Sequence, residues 1–384
     1  MTASLELLRR LVGFDTVSHK SNLELIDFVR GYLFDLGVDS TLIHDDGGAK
    51  ANLYATLGAN DRPGLLLAGH TDVVPVDDQD WSSDPFTLTE RDDKLFGRGA
   101  CDMKGFIAAA LALAPEFVER SEGPPVHFAF TFDEEVGCFG AQSLVEHFAH
   151  LPVRPKACVV GEPTSMRVIN GHKGKVSYRC EVLGLEGHSA YTDKAVNAVE
   201  AAAELVARLR AMARRLKSDG PFDTSFDPPY TTVHTGTIEG GTALNIVPRS
   251  CAFDFEIRTL PGQDPEHLIK ELKEFAEQTL APEMHAVSPA TGFSWVKSSA
   301  IPALAPIADC DIADRAMALT GDNAPGHISF ATEAGLYQEA AIPTIVCGPG
   351  DIKDAHRPDE FVTRDQITAC EDFLRAIVGI EFSP

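Results

Sequence analysis

Four apolar runs in this chain each give way, at once or within a short turn, to a histidine or a carboxylate. LLLAG ends at His70, FAFTF leads into Asp133-Glu134-Glu135, ACVVG stops at Glu162, and IPTIVCGPG precedes His356. Short apolar runs bounded by turn residues read as strands buried on both faces, the pattern of a parallel sheet covered by helices. Open sheets of that kind bind ligands outside the carboxyl ends of their strands. A fifth residue, Asp102 in GRGACDMKG, lies among glycines 97, 99 and 105, which imply tight turns. Five groups far apart in sequence are therefore expected to converge on one sheet edge.

The rhythm along the chain supports this reading. SNLELIDFVRGYLFDLG (21–37) has helical spacing and stops at Gly37, NLYATLG and GLLLAG are β-rich, and a helix is expected over about 104–120. The strand VHFAFTF, a helix near 139–149 and the strand ACVVGEP follow, so the first part is α/β with a largely parallel sheet. From about residue 174 the pattern changes to KVSYRCEVLG, the long helix AVNAVEAAAELVARLRAMARRL, two strands (TTVHTGTIEGG and SCAFDFEIRTL), the helix PEHLIKELKEFAEQTL and a short strand MHAVSP. That order, β-α-β-β-α-β, describes a ferredoxin-like module. KSDGPFDTSFDPPY (217–230) is a polar loop within it. After about 296 the α/β rhythm returns, and the last helix opens on Thr363-Arg-Asp-Gln366, a capping-box pattern. The expected division is residues 1–173 with 296–384 as one discontinuous domain, and 174–295 as an insert.

Bulk properties narrow the function classes. With 384 residues the chain can bury two cores. No apolar run approaches the roughly 18 residues of a membrane span. A net charge of −24 disfavours phosphate backbones and anionic lipid, so neither nucleic-acid nor membrane partners are expected. The eight cysteines contain no C-x-x-C pair and read as reduced thiols. With MTASLELLRRLVGF reading as a helix and not as a signal peptide, the expected compartment is the cytoplasm.

Two imidazoles and three carboxylates suit two zinc-class ions bridged by a water, which is hydrolytic chemistry. Two divalent ions carry four positive charges; Asp102, Glu135 and Glu162 cancel three, and a bridging hydroxide the fourth. Asp72, two residues after His70 on extended chain, leaves on the same side and is placed to orient that imidazole. Of the adjacent glutamates, one can ligate metal while the other stands off as a general base, with like charge and partial burial raising its pKa. Each motif has a blander reading alone. His-x-Asp is usually a polar turn, Asp102 would more often cap the helix beginning near Met103, and the Asp-Glu-Glu corner is ordinarily solvated. Serine-elbow, Walker and dinucleotide fingerprints are absent.

The motifs LLAGHTDVVPVDDQDWSSDPF, KLFGRGACDMKG, FTFDEEVGCFGA, VVGEPT, GLEGHSAYTDKAVNA, LNIVPRSCAFDFEIR and GPGDIKDAHRPDEF resemble, nearly end to end, a dinuclear-zinc hydrolase family. It includes acetylornithine deacetylases, succinyl-diaminopimelate desuccinylases, glutamate carboxypeptidases and aminoacylases. The resemblance implies a zinc-peptidase-like catalytic domain and a ferredoxin-like lid that carries homodimer contacts. It implies that His70, Asp102 and Glu162 hold one zinc and that Asp102, Glu135 and His356 hold the other, with cobalt a plausible substitute. It further implies that Glu134 is the general base, that Asp72 orients His70, and that the Asp102–Met103 peptide is cis. His188 matches a lid histidine that polarises the scissile carbonyl in a partner's active site, and Asn245 and Arg258 match positions associated with the substrate carboxylate.

SFATEAGLYQEA followed by IPTIVCGPGDIKDAHRPDEF resembles the acetylornithine deacetylase subgroup; desuccinylases usually carry Thr-Ser-Asp-Gly where this chain has Thr332-Glu333-Ala334-Gly335. The reaction so implied is hydrolysis of N²-acetyl-L-ornithine, a step of arginine biosynthesis, to L-ornithine and acetate, with Glu333 expected to meet the substrate ammonium. A desuccinylase, aminoacylase or dipeptidase on the same metal core is the alternative, and a non-catalytic scaffold on this fold is the alternative outside enzymes.

Overall fold

The computed structural model describes residues 2–59, 61–120 and 123–379. The chain forms two compact units. One extends to Gly171 and resumes over Leu304–His327 and from Thr332 onward; the other is His172–Ala303 with Ile328–Ala331. The insert is thus longer than the expected 174–295, because the strand closing it is Gly292–Ile301. The residues expected as that strand, MHAVSP, instead continue a helix: Glu266–Phe275 runs through a π turn at Ala276–Leu280 into Ala281–Val287. Leu272, Ala276, Leu280 and Met284 recur every four residues and are all buried. That period outweighs the β preference of a short run.

In the first unit an eight-stranded sheet has the order Ser40–His44, Ala51–Leu57, Val126–Thr131, Leu65–His70, Ala157–Val160, Thr344–Val346, Ile169–His172, Gly326–Ile328. The four central strands are mutually parallel, and their flanks pair antiparallel. Every residue of those central strands is buried, as their continuous apolar sequence requires. The helix expected over 104–120 is two, Lys104–Ala112 and Ala114–Glu119, with Pro115 opening the second. Lys104–Ala112 is buried at every residue but Ala112, its last.

Two glycines near the strand ends answer steric need. A Cβ on Gly161 would lie 1.9 Å from the Phe106 ring, and one on Gly348 would lie 2.1 Å from the Gly161 carbonyl oxygen. The strand ends are packed too tightly for any side chain there. At the last helix, Thr363 accepts the Gln366 amide at 3.3 Å. The other half of the capping box does not form, because Gln366 Oε1 accepts the Gly350 amide at 3.2 Å.

The second unit has a four-stranded antiparallel sheet, order Thr232–Gly240, Ser250–Thr259, Gly174–Leu183, Gly292–Ile301. Numbered along the chain, this is 2-3-1-4, the ferredoxin-like arrangement. Inward residues alternate with outward ones, so Val176, Tyr178, Cys180 and Val182 face the core. Ala202, Leu205, Leu209, Met212 and Leu216 of the helix Ala198–Asp219 join the same cluster.

Candidate metal centre

Parallel alignment of the central strands gathers the ligand-bearing turns at one edge. His70 is the last residue of its strand and pairs with Thr131; Glu134 and Glu135 follow Thr131, and Glu162 follows Val160 by two residues. His356 arrives ten residues beyond Val346, in a left-handed conformation (φ 59°) that histidine tolerates better than most side chains. Asp102 does not come from this sheet. It follows the strand Lys94–Phe96 of a separate three-stranded sheet and precedes the buried helix Lys104–Ala112.

The structure assembles these residues into two triads that share Asp102. His70, Asp102 and Glu162 bring their ligand atoms within 4.8 Å of one another, and so do Asp102, Glu135 and His356. Oδ1 of Asp102 is 3.0 Å from His70 Nε2, while Oδ2 is 3.1 Å from His356 Nε2; Glu135 Oε1 is also 3.1 Å from His356 Nε2. Glu162 Oε1 lies 3.8 Å from His70 Nε2. Donors about 2.0–2.1 Å from a tetrahedral ion stand roughly 3.3 Å apart, so these spacings fit. Asp102 is not the cap of its helix, which has no side-chain cap bond, and the Asp102–Met103 peptide is cis.

Electrostatics point the same way. His70 Nδ1 donates to the Asp72 carbonyl at 2.8 Å, so the Nε2 lone pair faces Asp102 and Glu162. Lone pairs of a base and two carboxylates at this range repel unless a cation or proton lies between them. Burial alone would lower the His70 pKa, but the Asp102 hydrogen bond and the Glu162 charge outweigh it and raise it well above normal. Hydrogen bonds to Asp102 and Glu135 raise His356 to about 11. Burial, then the charge of Asp102, raises Glu162 well above the carboxylate range. Groups that hold protons this way in the absence of metal are the groups a divalent ion displaces protons from.

Glu134 belongs to neither triad. Burial and the charges of Glu135, Asp102 and Asp72 push its carboxyl up to about 8, despite the opposing influence of His70. Its Oε1 accepts the Cys138 thiol at 3.5 Å. Asp72 acts differently from the sequence expectation: its carboxylate is 3.7 Å from His70 Nδ1, too long for a hydrogen bond. The backbone carbonyl holds the imidazole instead. The carboxylate accepts Ser18 Oγ at 2.7 Å and the amides of Glu134 and Glu135 at 3.1 and 3.4 Å, thereby positioning the turn that carries both glutamates. Lys50 clamps Asp133 of that turn with both carboxylate oxygens, at 2.5 and 2.7 Å.

Glu333, expected to meet the substrate ammonium, is buried in the first unit. Its Oε2 accepts Thr131 Oγ1 at 2.9 Å. Burial raises its carboxyl to about 7. Thr131 in turn pairs with His70 at the end of the strand ladder.

The remaining expected residues lie in the second unit. Gly187–His188 pairs with Ile246–Val247, and the Ser189 amide donates to the Asn245 carbonyl at 3.2 Å, so His188 and Asn245 are neighbours. Both are exposed. Arg258 is near the opposite end of the strand Ser250–Thr259, about 26 Å from Ser250 at the usual strand rise. Its Nε donates to Glu256 at 2.8 Å. Within one subunit the three residues do not form a single site. Sequence reasoning quoted the motifs containing Arg98, Cys138 and Glu360 but passed over those residues, since nothing in their spacing marks a contact with a ligand loop.

Comparisons with known proteins give the family. Residues 66–379 match the family described as Peptidase family M20/M25/M40. Acetylornithine deacetylase of Myxococcus xanthus is 37% identical over 377 residues, covering 97% of this chain and 96% of the relative. That of Pasteurella multocida is 34% identical, covering 98% and 97%. Among solved structures, an M20 family metallo-carboxypeptidase from Sulfolobus solfataricus shares the fold with a TM-score of 0.76 at 18% identity, covering 99% and 100%. A tripeptidase from Staphylococcus aureus gives 0.74 at 20%, covering 98% and 97%. The chain belongs to Peptidase family M20/M25/M40. It is a metal-dependent amidohydrolase. No helix among the described residues is long and apolar enough to cross a membrane.

Proposed function

We propose that this chain removes the acetyl group from N²-acetyl-L-ornithine, giving L-ornithine and acetate. The observation that carries the hydrolytic part is the pair of triads sharing Asp102, with Glu134 free of both. His70, Asp102 and Glu162 would hold one divalent ion, and Asp102, Glu135 and His356 the other; two zinc ions suit these nitrogen and oxygen donors, with cobalt as substitute. Such ions, when bound, polarise the amide carbonyl and acidify water. Glu134, raised to about 8, takes the proton from the attacking water and delivers it to the leaving amine nitrogen. Asp72 fixes the turn on which Glu134 stands. The choice of acetylornithine is supported by relatives bearing that activity in their names at 30–37% identity over nearly the whole chain.

His188, Asn245 and Arg258 are assigned to carbonyl polarisation and carboxylate binding. The resemblance of the His188 motif supports a homodimer in which the ferredoxin-like unit acts as lid and lends His188 to the partner's site. A cytoplasmic location belongs to the same reading. Turnover of acetylornithine, succinyl-diaminopimelate, acetylmethionine and a dipeptide, each with zinc and with cobalt, tests the assignment. Preference for acetylornithine is the expected result. Preference for another member reassigns the substrate, and no turnover at full metal occupancy removes the hydrolase reading.

A further inference from the structure

Asp102 and His356 ligate from separate loops, and four residues from each stands a buried partner: Arg98 before Asp102 and Glu360 after His356. Both side chains are 1% exposed, and Arg98 Nη1 donates to Glu360 Oε2 at 2.5 Å. The other carboxylate oxygen of Glu360 accepts the backbone amides of Cys101 and Asp102 at 3.0 and 3.1 Å. Glu360 therefore holds the backbone of one ligand while standing on the loop of another. The connection is closed a second time through Gln79: Arg98 Nη2 donates to Gln79 Oε1 at 2.6 Å, and Gln79 Nε2 donates to the His356 carbonyl at 3.3 Å. The Gly97 amide on the Glu360 carbonyl at 2.9 Å adds a backbone tie.

We propose that the Arg98–Glu360 pair is a brace that sets the separation of Asp102 from His356, and so the affinity and geometry of the metal site those two residues share with Glu135. Burying an ion pair is a poor way to gain stability, since apolar residues of similar volume usually do as well or better. A carboxylate that spans two ligand loops does what an apolar pair cannot, because it gives directed acceptors to the amides that aim Asp102. Its enclosure also removes Arg98 from contact with substrate. Outer groups of this type set ligand orientation, and their loss typically weakens metal binding about 10–100-fold.

The proposal rests on the two triads being metal sites, and the test keeps the two ideas apart. Zinc stoichiometry and affinity are measured by chelator competition, and the visible spectrum of the cobalt-loaded protein is recorded. The proteins are wild type, Glu360→Gln, Arg98→Lys and the double variant Arg98→Met/Glu360→Gln. The double variant guards against misfolding, since it leaves no buried charge unpaired. In wild type two ions are expected. In the double variant one ion should bind at least 10-fold more weakly with an altered cobalt spectrum, while the metal-free thermal transition remains cooperative. Arg98→Lys should recover part of the affinity. Wild-type affinity and spectrum in the folded double variant would overturn the brace, as would its failure to fold, which would make the pair a requirement of the core. Wild type without metal overturns the reading of the triads instead.

Discussion

The two units prepare their functional residues in opposite ways. In the first, His70, Asp102 and Glu162 are at most 4% exposed, with the His70 imidazole and the Asp102 backbone held by hydrogen bonds, and only His356 of the ligand set is exposed among the described residues. In the second, His188 and Asn245 are exposed on and beside a short two-stranded ribbon, and His188 Nδ1 accepts the amide of Ala190, within its own turn, at 3.1 Å. Arg258 is engaged by a glutamate two residues away. The first triad is preorganised out of contact with water, where electrostatic effects are strong. The groups proposed for carbonyl polarisation and carboxylate binding, His188 and Asn245 among them, stand exposed at a surface, as suits parts completed by assembly or closure.

The largest effect that tests this contrast is expected at Glu134. Glu134→Ala should keep both ions and lose about three orders of magnitude in kcat, measured at verified metal occupancy. Appreciable turnover there would move the base elsewhere. His188→Ala should leave metal content unchanged and lower kcat about 100-fold or more, the usual cost of removing a donor to a developing oxyanion. Mixing His188→Ala with Glu134→Ala protein sharpens the contrast: recovery of activity in the mixture indicates sites built from two chains, and none is expected if each chain works alone.

A smaller effect concerns stability of the first unit away from the metals. His127 is buried, with Tyr54 Oη and Thr56 Oγ1 at 2.9 and 3.0 Å from Nδ1, and burial lowers it to about 4. Because the folded value lies below the unfolded one of 6.5, its contribution is fully present above pH 6.5 and is lost as pH falls towards 4. The loss is about 3 kcal/mol at most. The stability gap between wild type and His127→Asn in denaturant titrations should therefore shrink from pH 7 to pH 4.5; a constant gap would contradict a neutral buried ring. The smallest effect is expected at Glu333. Since it is enclosed, Glu333→Gln should change KM for acetylornithine by less than about threefold, and a large rise in KM would restore it as a substrate contact.

Much of the site was legible because its ligands follow strongly apolar runs, and a parallel sheet can place the ends of such runs only at one edge. Asp102 was readable through its glycine-rich motif, although its strand belongs to a different sheet. The depth of Glu333 was not legible, because the motif that includes it says nothing about burial, which is a property of what packs around a residue. The place of Arg258 was hidden for a related reason. Its distance from Asn245 along the sheet is set by strand pairing, not by the 13 positions that separate them.

Local pattern, acting through backbone periodicity and solvent exclusion, determined the α/β rhythm, the ferredoxin-like insert and the convergence of two histidines and several carboxylates, while the family resemblance divided the acids into ligands and a base. Tertiary structure alone decided which oxygen of Asp102 faces which histidine, that Asp72 supports the glutamate turn while its carbonyl holds His70, and that a buried Arg98–Glu360 pair ties two ligand loops together. Those contacts join residues up to 262 positions apart. Hydrogen-bond geometry is fixed to a few tenths of an ångström by the packing of the whole unit, and no local run of sequence carries that information.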